Sequence, residues 1–282
     1  MTKLAFSTNA YTNHSMTTAV ERIADHGYAG VELLADQPHA YLPEFTADER
    51  RTITELLDEV DVAVSNINAN TAMGYYSDGP PSAFFEPSLC TATDEDREWR
   101  IDYTKQAIDL AATTDAPSIC VASGTTLPGN PPEEAYQNLV SSLQEITAYA
   151  AASGIEVGIE FEPELLVESV DDVLSLIDDV GHPSLGINLD LGHVAVLGND
   201  PTDAIRRSAG HITGVHLEDI PDGVGGTHYH TIPGDGDLDF RSIFDTFDDI
   251  GYDGFVTLEL YTYPEMPNEA ARESIGYLTD YV

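Results

Sequence analysis

Four short apolar stretches of the sequence each carry an acidic or imidazole side chain near their carboxyl end. The stretches are residues 157–162, 186–193, 214–218 and 256–260, and the polar side chains belong to Glu160, Asp190, His216 and Glu259. Three carboxylates and one imidazole, without a thiolate, suit one divalent ion such as Mn, Mg, Co or Zn. The alternative is that buried carboxylates pair with one another or with a cation. These stretches contain no lysine or arginine, and adjacent carboxylates without a counterion repel strongly, so a metal site is the better interpretation.

The spacing of apolar and polar residues predicts that each stretch is a β-strand. In residues 186–191, Ile187 and Leu189 have one parity, whereas Asn188 and Asp190 have the other. Side chains alternate between the two faces of a strand, so the two sets point in opposite directions. The other three stretches repeat this alternation. We therefore expect four strands that pack through one face and direct their polar side chains toward a common place.

Eight predicted strands alternate with eight predicted helices along the chain. Such alternation is typical of parallel strands with helical crossovers, and eight units close most economically into a (β/α)8 TIM barrel of the α/β class. An open doubly wound sheet is the alternative, but no glycine-rich phosphate loop follows the first strand. Residues 1–282 show no linker or break in composition and are predicted to form a single domain. The predicted strands are residues 4–7, 30–34, 62–67, 118–122, 156–162, 185–190, 213–217 and 255–260, and the predicted helices are residues 17–26, 47–60, 95–114, 133–153, 170–180, 201–209, 240–250 and 269–281.

The charge of the chain is strongly negative. Fifty aspartates and glutamates face 11 lysines and arginines, which gives a formal net charge of −39, while 42% of the residues are apolar. This apolar fraction and the clear periodicity argue against acidic disorder, so we interpret the acidic residues as a solvated surface. Such a surface repels itself unless salt screens it, which points to a halophilic organism. It also argues against nucleic-acid partners, which require a basic surface.

The remaining bulk features indicate an intracellular protein. Cys90 and Cys120 are the two cysteines, and their unrelated spacing predicts reduced thiols rather than a disulfide framework. The chain begins directly with a predicted strand, and no window approaches the roughly 18 uninterrupted apolar residues of a membrane helix. We therefore expect a cytoplasmic protein without a membrane partner.

The predicted barrel divides the nine histidines between its two ends, because the loops that follow the strands form the active face. Three histidines precede strands and are predicted to be structural, namely His26, His182 and His211. Six lie at or beyond strand ends, namely His14, His39, His193, His216, His228 and His230. We expect these six to converge, with the carboxylates, on one rim.

Five motifs in order resemble the xylose isomerase-like barrel superfamily of sugar and sugar-phosphate isomerases and epimerases, close to its ketose 3-epimerases and inosose-type enzymes. The motifs are Gly-Ile-Glu at 158–160, Asp-Leu-Gly-His at 190–193, Gly-Val-His-Leu-Glu-Asp at 214–219, Pro-Gly-Asp-Gly-Asp-Leu-Asp-Phe at 233–240 and Gly-Tyr-Asp-Gly at 251–254, which leads to Glu259. The resemblance covers essentially the whole chain.

The resemblance implies a sugar, keto-sugar or inosose isomerase or epimerase that works through an enediolate. It implies that one divalent ion binds to Glu160, Asp190, His216 and Glu259, and that Glu160 and Glu259 also transfer the proton. The physical chemistry agrees, because a metal stabilises the enediolate charge and two carboxylates can serve its two faces. His193 resembles the family histidine that contacts a substrate hydroxyl, although a histidine at a helix start can also simply bond to the backbone. Relatives are commonly dimers, so a homo-oligomer is possible.

Several residues near the predicted site allow more than one interpretation. Related ketose enzymes often have an arginine at the position of His228 and His230. These histidines either replace it in substrate binding or lie on the loop without a role in the site. Glu162 shares the parity of Glu160, so either residue can supply the ligand from that strand. The motif favours Glu160, and Glu162 is then a candidate substrate contact. Glu32 either contacts substrate or is a solvated carboxylate on the rim. Glu218 has the parity of His216 and is a candidate to support the ligands from behind. Tyr11, Tyr75, Tyr261 and Tyr263 are either pocket walls or packing residues.

The long irregular stretch of residues 68–94 contains several aromatic residues and is predicted to be a lid rather than a disordered segment. The loops after the strands contain few basic residues, and Arg97, Arg206 and Arg207 are the nearest. A phosphate site needs such cations, so we expect an unphosphorylated sugar or polyol substrate. A dehydratase resembling 3-dehydroshikimate dehydratase and a catalytically silent ligand-binding barrel are the alternatives. The three-zinc endonuclease IV is a further relative, but its histidine pattern and the acidic surface argue against it.

Overall fold

Eight parallel strands close into a barrel in chain order in the computed structural model, which describes residues 2–76 and 85–282. The predicted (β/α)8 barrel is therefore confirmed. The strands are β1 (Lys3–Ser7), β2 (Gly30–Leu34), β3 (Ala63–Asn68), β4 (Ser118–Ala122), β5 (Glu156–Glu160), β6 (Leu185–Asp190), β7 (Ile212–Leu217) and β8 (Phe255–Leu258). The helices are α1 (Met16–Asp25), α2 (Ala47–Val60), α3 (Asp94–Thr113), α4 (Pro132–Ala151), α5 (Val170–Val180), α6 (Leu191–Val196), α7 (Pro201–Ser208), α8 (Phe240–Ile250) and α9 (Pro267–Leu278), with 3₁₀ turns at Thr8–Tyr11 and Met73–Tyr75.

Local signals explain why several predicted boundaries are correct. Helix α2 begins with a capping box, in which Thr46 and Glu49 each satisfy a backbone N–H of the other. Helices α5 and α8 end at Gly181 and Gly251, which have φ angles of 66° and 71°. Glycine adopts this left-handed conformation without steric strain, so both helices stop where the sequence predicts.

Three differences from the prediction bear on the site, while several other boundaries shift by one to three residues, as at the end of α9. Helix α6 was not expected, because six residues are too few to show helical periodicity; Asp190 starts this helix by accepting a hydrogen bond from the His193 N–H at 2.7 Å. Strands β5 and β8 each end two residues earlier than predicted. Beyond β5 the chain turns, and the Glu162 N–H bonds to the Val167 carbonyl at 3.3 Å. Glu162 consequently lies outside the regular barrel.

The apolar core lies between the barrel and its helices. Ile187 and Leu189 of β6 belong to a buried cluster that also contains Leu176 of α5 and Ile205 of α7. Polar side chains fill the barrel interior instead. The Ser118 hydroxyl donates to Oδ1 of the Asn66 side chain at 3.0 Å, and such satisfied contacts make a polar interior tolerable.

Within the described residues, no helix combines the length and the apolar character that a bilayer span requires.

Candidate metal centre

The four predicted ligands meet at the carboxyl end of the barrel. Glu160 ends β5, Asp190 ends β6, His216 lies one residue before the end of β7, and Glu259 follows β8 directly. All four are buried, and one ligand atom of each lies within 4.8 Å of the others. The Nδ1 atom of His216 lies 3.0 Å from Glu160 Oε1, 3.7 Å from Glu259 Oε1 and 4.0 Å from Asp190 Oδ2. Strand alternation therefore brings these residues together as expected.

The donors of this group fit a divalent ion. Asp190 is fully buried, yet its Oδ2 atom has no hydrogen-bond partner among the described residues. An unpaired buried carboxylate oxygen is costly unless a cation or a proton donor faces it. Oxygen and imidazole nitrogen atoms are the ligands that Mn, Mg, Co and Zn accept. Glu160, Asp190, His216 and Glu259 can thus hold one such ion.

Three asparagine side chains and one thiol hold the carboxylates of the two glutamates. Asn9 and Asn68 donate to Glu259 Oε1 at 3.0 and 2.9 Å. Asn70 donates to Glu160 Oε2, and the Cys120 thiol lies 2.9 Å from the same oxygen. Sequence reasoning missed these residues, although the alternation of Asn66 and Asn68 in β3 is a signal for inward-facing polar groups.

Burial and mutual charge shift the acidities of the group. Burial, reinforced by Glu160, Glu32 and Asp190 and opposed by His216, raises the pKa of Glu259 to about 8. Burial opposes the charged form of His216, but the carboxylates of Glu32, Glu160 and Glu259 outweigh it and raise the pKa of His216 well above its usual value. Burial also opposes the ionised form of Asp190, but the charges of His193, His230 and His216 lower the pKa of Asp190. Without a cation, the cluster therefore retains protons at neutral pH.

Glu32 differs most from its expected place. It is fully buried, so the interpretation as a solvated rim carboxylate is wrong. Its Oε2 atom lies 2.7 Å from His216 Nε2, and Asn66 and Asn68 donate to its two oxygens at 3.0 and 3.3 Å. Glu32 lies two residues before the end of β2. Its side chain therefore enters the barrel below the rim. The groups that contact its carboxylate are protein side chains inside the barrel.

His193 forms part of the wall of the centre. Its ring is buried, and Nδ1 lies 2.9 Å from the Phe161 carbonyl oxygen. Burial opposes the charged ring, but Asp190, Glu162 and Glu160 raise the pKa of His193 to about 9. The ring makes edge contacts with His228 and His230 at centroid distances of 5.0 and 5.9 Å. His193 thus combines the expected helix-start contact to the backbone with a position beside the ligands.

His228 and His230 lie on the loop between β7 and α8. His230 is buried, with Nδ1 2.7 Å from the Glu259 carbonyl oxygen and the Tyr261 ring at 4.7 Å. Burial lowers the pKa of His230 to about 4, so this ring is neutral at pH 7. The exposed His228 approaches it, with 3.4 Å between the Nε2 atoms. His230 therefore lies inside the centre, next to Glu259, and not on the exposed surface of the loop.

Glu162 and Glu218 flank the four ligands. Glu160, and not Glu162, belongs to the close ligand group, which favours Glu160 as the ligand from β5. Burial raises the pKa of Glu162 to about 7, with His193 opposing the rise. Glu218 is fully buried, and Oε1 lies 3.6 Å from His230 Nε2. Among the residues that the structure describes, neither oxygen of Glu218 has a hydrogen-bond partner. Glu218 therefore lies behind Asp190 and His230, and Glu32 is the carboxylate that contacts His216 Nε2.

Two of the six histidines expected at the rim lie elsewhere. His39 Nε2 contacts the carbonyl oxygens of His14 and Tyr11 at 3.2 and 3.3 Å, which ties His14 and His39 to each other rather than to the ligands. The Tyr11 ring is buried and its hydroxyl donates to Asn268, as a packing residue does. The predicted lid falls partly outside the described residues, because residues 77–84 are not among them.

The fold and the site define a (β/α)8 barrel with a candidate metal centre at the carboxyl ends of its strands. The model of the xylose isomerase-like TIM barrel family matches residues 20–281, and the chain belongs to this family.

Individual relatives carry related activities. The chain is 25% identical to fructoselysine 3-epimerase of Shigella flexneri over 254 residues, which are 88% of this chain and 87% of that protein. It is 26% identical to inosose dehydratase of Clostridium perfringens over 151 residues, or 48% of this chain and 50% of that protein. The crystal structure of the IOLI protein with a bound zinc atom has a TM-score of 0.78 at 19% identity and covers 99% of both chains.

Proposed function

We propose that the protein is a divalent-metal-dependent isomerase or epimerase of a sugar, keto-sugar or inosose. The observation that carries this proposal is the convergence of Glu160, Asp190, His216 and Glu259, all buried, with ligand atoms within 4.8 Å of one another. The similarity to a fructoselysine 3-epimerase supports the reaction class, and the zinc atom bound by the IOLI protein supports a metal on a barrel of this fold.

Glu160 and Glu259 are the proposed proton carriers. They come from β5 and β8, which are separated by two intervening strands of the closed barrel, so they approach the centre from different sides. One carboxylate takes the proton from the carbon next to the substrate carbonyl, and the C–H electron pair moves toward the carbonyl oxygen to give an enediolate. The other carboxyl group returns a proton to the opposite face of the carbon. A divalent ion held by the four ligands would stabilise the enediolate charge.

The neighbouring polar residues are the proposed substrate contacts. His193, His228 and His230 form one wall, and Glu162 adds a carboxyl group beside His193. His230 is held by the Glu259 carbonyl oxygen and His193 by the Phe161 carbonyl oxygen. These fixed rings can orient hydroxyl groups without first paying the entropy of ordering. Because Glu32 is fully buried against His216, we do not include it among the proposed substrate contacts.

The proposed substrate is unphosphorylated. Arg97 pairs with Asp94, Arg206 donates to Thr202, and Arg207 pairs with Asp171. These pairs lie on the outer helices α3, α5 and α7 or at their starts. No lysine or arginine contacts the four ligands within the described parts of the chain. A phosphate group would therefore lack the cation that normally recognises it.

A metal-dependent dehydratase is the second candidate. The similarity to inosose dehydratase over 151 residues favours it. Elimination begins with the same proton abstraction, and the difference lies in whether the enediolate then loses a hydroxyl group or regains a proton.

The deciding experiment starts with metal content, measured by elemental analysis of protein purified in high salt without chelators. The wild type should hold about one divalent ion per chain, and His216→Ala and Glu259→Ala should lose it. His211→Ala is the matched control, because His211 lies before β7 at the opposite end of the barrel and should leave the ion in place. No ion in the wild type, even after Mn²⁺, Co²⁺ or Mg²⁺ is added back, would leave the silent ligand-binding barrel as the better interpretation.

Turnover then separates the two reactions. An epimerase or isomerase run in D₂O should place deuterium on the carbon that reacts, and the product should be an isomer of the substrate. A product lighter by one water would support the dehydratase instead. A clear preference for a sugar phosphate would contradict the unphosphorylated substrate.

A further inference from the structure

The imidazole of His216 is held between two carboxylates that play different parts. Its Nδ1 atom faces the other three ligands, with Glu160 Oε1 at 3.0 Å. Its Nε2 atom faces Glu32 Oε2 at 2.7 Å. His216 and Glu32 are both fully buried. The two ring nitrogens therefore meet different environments, and only Nδ1 is directed at the metal centre.

Glu32 is itself fixed by amide donors. Asn66 Nδ2 donates to Glu32 Oε2 at 3.0 Å, and Asn68 Nδ2 lies 3.3 Å from Glu32 Oε1. Asn68 also donates to Glu259 Oε1 at 2.9 Å, so one amide contacts a predicted ligand and the carboxylate behind His216. A buried carboxylate with this many donors is held in one orientation. Glu32 can consequently impose an orientation on the ring that it contacts.

A carboxylate can only accept a hydrogen bond, so the ring nitrogen that faces Glu32 must carry the proton. Glu160 likewise faces Nδ1, so the ion-free ring can carry a proton on both nitrogens. If a divalent ion replaces the Nδ1 proton, the bond to Glu32 keeps the other proton on Nε2 and the lone pair lies on Nδ1. The Asn188 amide nitrogen lies 3.2 Å from Nδ1, where it can donate to that lone pair. Glu160 Oε1 and Nδ1 are then two electron-pair donors 3.0 Å apart, an arrangement that a shared cation stabilises.

We propose that Glu32 is a positioning residue that fixes the tautomer and orientation of His216, so that Nδ1 presents its lone pair to a divalent ion. Histidine ligands commonly donate their second N–H to a carboxylate in this way, which strengthens the ligand. The inference rests on the proposed function in one respect, namely that a divalent ion binds at His216. It assigns Glu32 no contact with substrate.

The experiment titrates chelator-treated protein with Mn²⁺ by calorimetry. Glu32→Gln keeps the size of the side chain but removes the fixed charge, and it should weaken Mn²⁺ binding by about 10- to 100-fold. Glu86→Gln is the matched control, because Glu86 is also buried and accepts hydrogen bonds from Ser88, Thr91 and Thr125. The control should lose stability and keep its affinity for Mn²⁺.

A second readout reports on the ligand geometry. The visible absorption bands of the Co²⁺-loaded protein should shift in Glu32→Gln and stay in place in Glu86→Gln, since only the first variant reorients a ligand. Wild-type affinity and an unshifted spectrum in Glu32→Gln would overturn the inference while leaving the metal site intact. A wild type that binds no divalent ion would overturn the proposed function and this inference together.

A measurement on the wild type covers the case in which Glu32→Gln does not fold. Nitrogen NMR of ¹⁵N-histidine-labelled protein, recorded while Zn²⁺ is added, identifies His216 as a ring whose resonances respond to the ion. The inference expects the proton on Nε2 and the ion on Nδ1. The reverse assignment would overturn it.

Discussion

Replacing Gly192 with alanine tests how tightly Glu218 is packed in the centre. A Cβ atom at this position would lie 1.5 Å from Glu218 Oε1 and 2.4 Å from its Cδ. Real contacts of this kind are roughly 3.5 Å or longer, so the carboxyl group would have to move by about 2 Å. Glu218 is fully buried beside Asp190 and His230, which leaves little room for such a movement.

Two effects of opposite sign compete in this variant. Gly192 lies inside α6 and has no positive φ angle, so alanine should favour the helix by about 1 kcal/mol. Overpacking of a buried site costs about 1–3 kcal/mol, and more when the neighbours cannot relax. The clash should win, and Gly192→Ala should be destabilised by up to about 2 kcal/mol in net terms.

The assay is a double-mutant cycle by urea unfolding in one high-salt buffer. In the Glu218→Ala background the clash is gone, so the same Gly192→Ala change should become neutral or stabilising by up to about 1 kcal/mol. The sign of the alanine effect should therefore reverse between the two backgrounds. Equal effects in both backgrounds, or a Gly192→Ala variant more stable than the wild type, would refute the packing argument.

Three further predictions follow from charge and burial. Since the formal net charge is −39, the melting temperature should rise with KCl concentration, and a melting temperature independent of salt would contradict self-repulsion as the dominant surface effect. In ion-free protein the pKa values of Glu259 and His193 are raised to about 8 and 9, so the folded state keeps protons that the unfolded state has lost. The free energy of unfolding, measured with urea, should therefore fall as the pH rises from about 4.5 to 9. The slope should be shallower in Glu259→Gln. Burial raises the pKa of Cys90 to about 11 and that of Cys120 well above its usual value, so neither thiol should react with a disulfide reagent until urea unfolds the chain, and rapid labelling of the native protein would disprove this.

The barrel and the ligand group were predictable because both depend on short-range periodicity. Alternating parity placed Asp190 and His216 on the inner face before any contact was known, and a barrel directs the ends of its strands to one rim. Parity does not give depth along the barrel axis. Glu32 was therefore expected on the rim, whereas it lies two residues before the end of β2 and contacts the ring of His216.

Contacts between distant loops had no signal in the sequence. His39 binds the backbone carbonyl of His14 instead of the centre, which depends on how two loops after different strands meet. Arg100 is fully buried and donates to the carbonyl oxygens of Ala69, Asn70 and Thr71. A buried arginine that donates to backbone carbonyl oxygens cannot be inferred from residue spacing. Every residue type carries such a carbonyl group, so the sequence does not mark the partners.

The strand origins of the centre divide the barrel into two halves. All four predicted ligands come from β5 to β8 or the residue directly after β8. The residues that hold Glu160, His216 and Glu259 from outside come from β1 to β4 or the turns after these strands. They are Asn9, Glu32, Asn68, Asn70 and Cys120. If the centre holds the proposed ion, the carboxyl-terminal half supplies the ligands and the amino-terminal half supplies the groups that hold them in place. A chimera that exchanges only β1 to β4 between relatives should then change the pH profile of ion binding while the four predicted ligands stay the same.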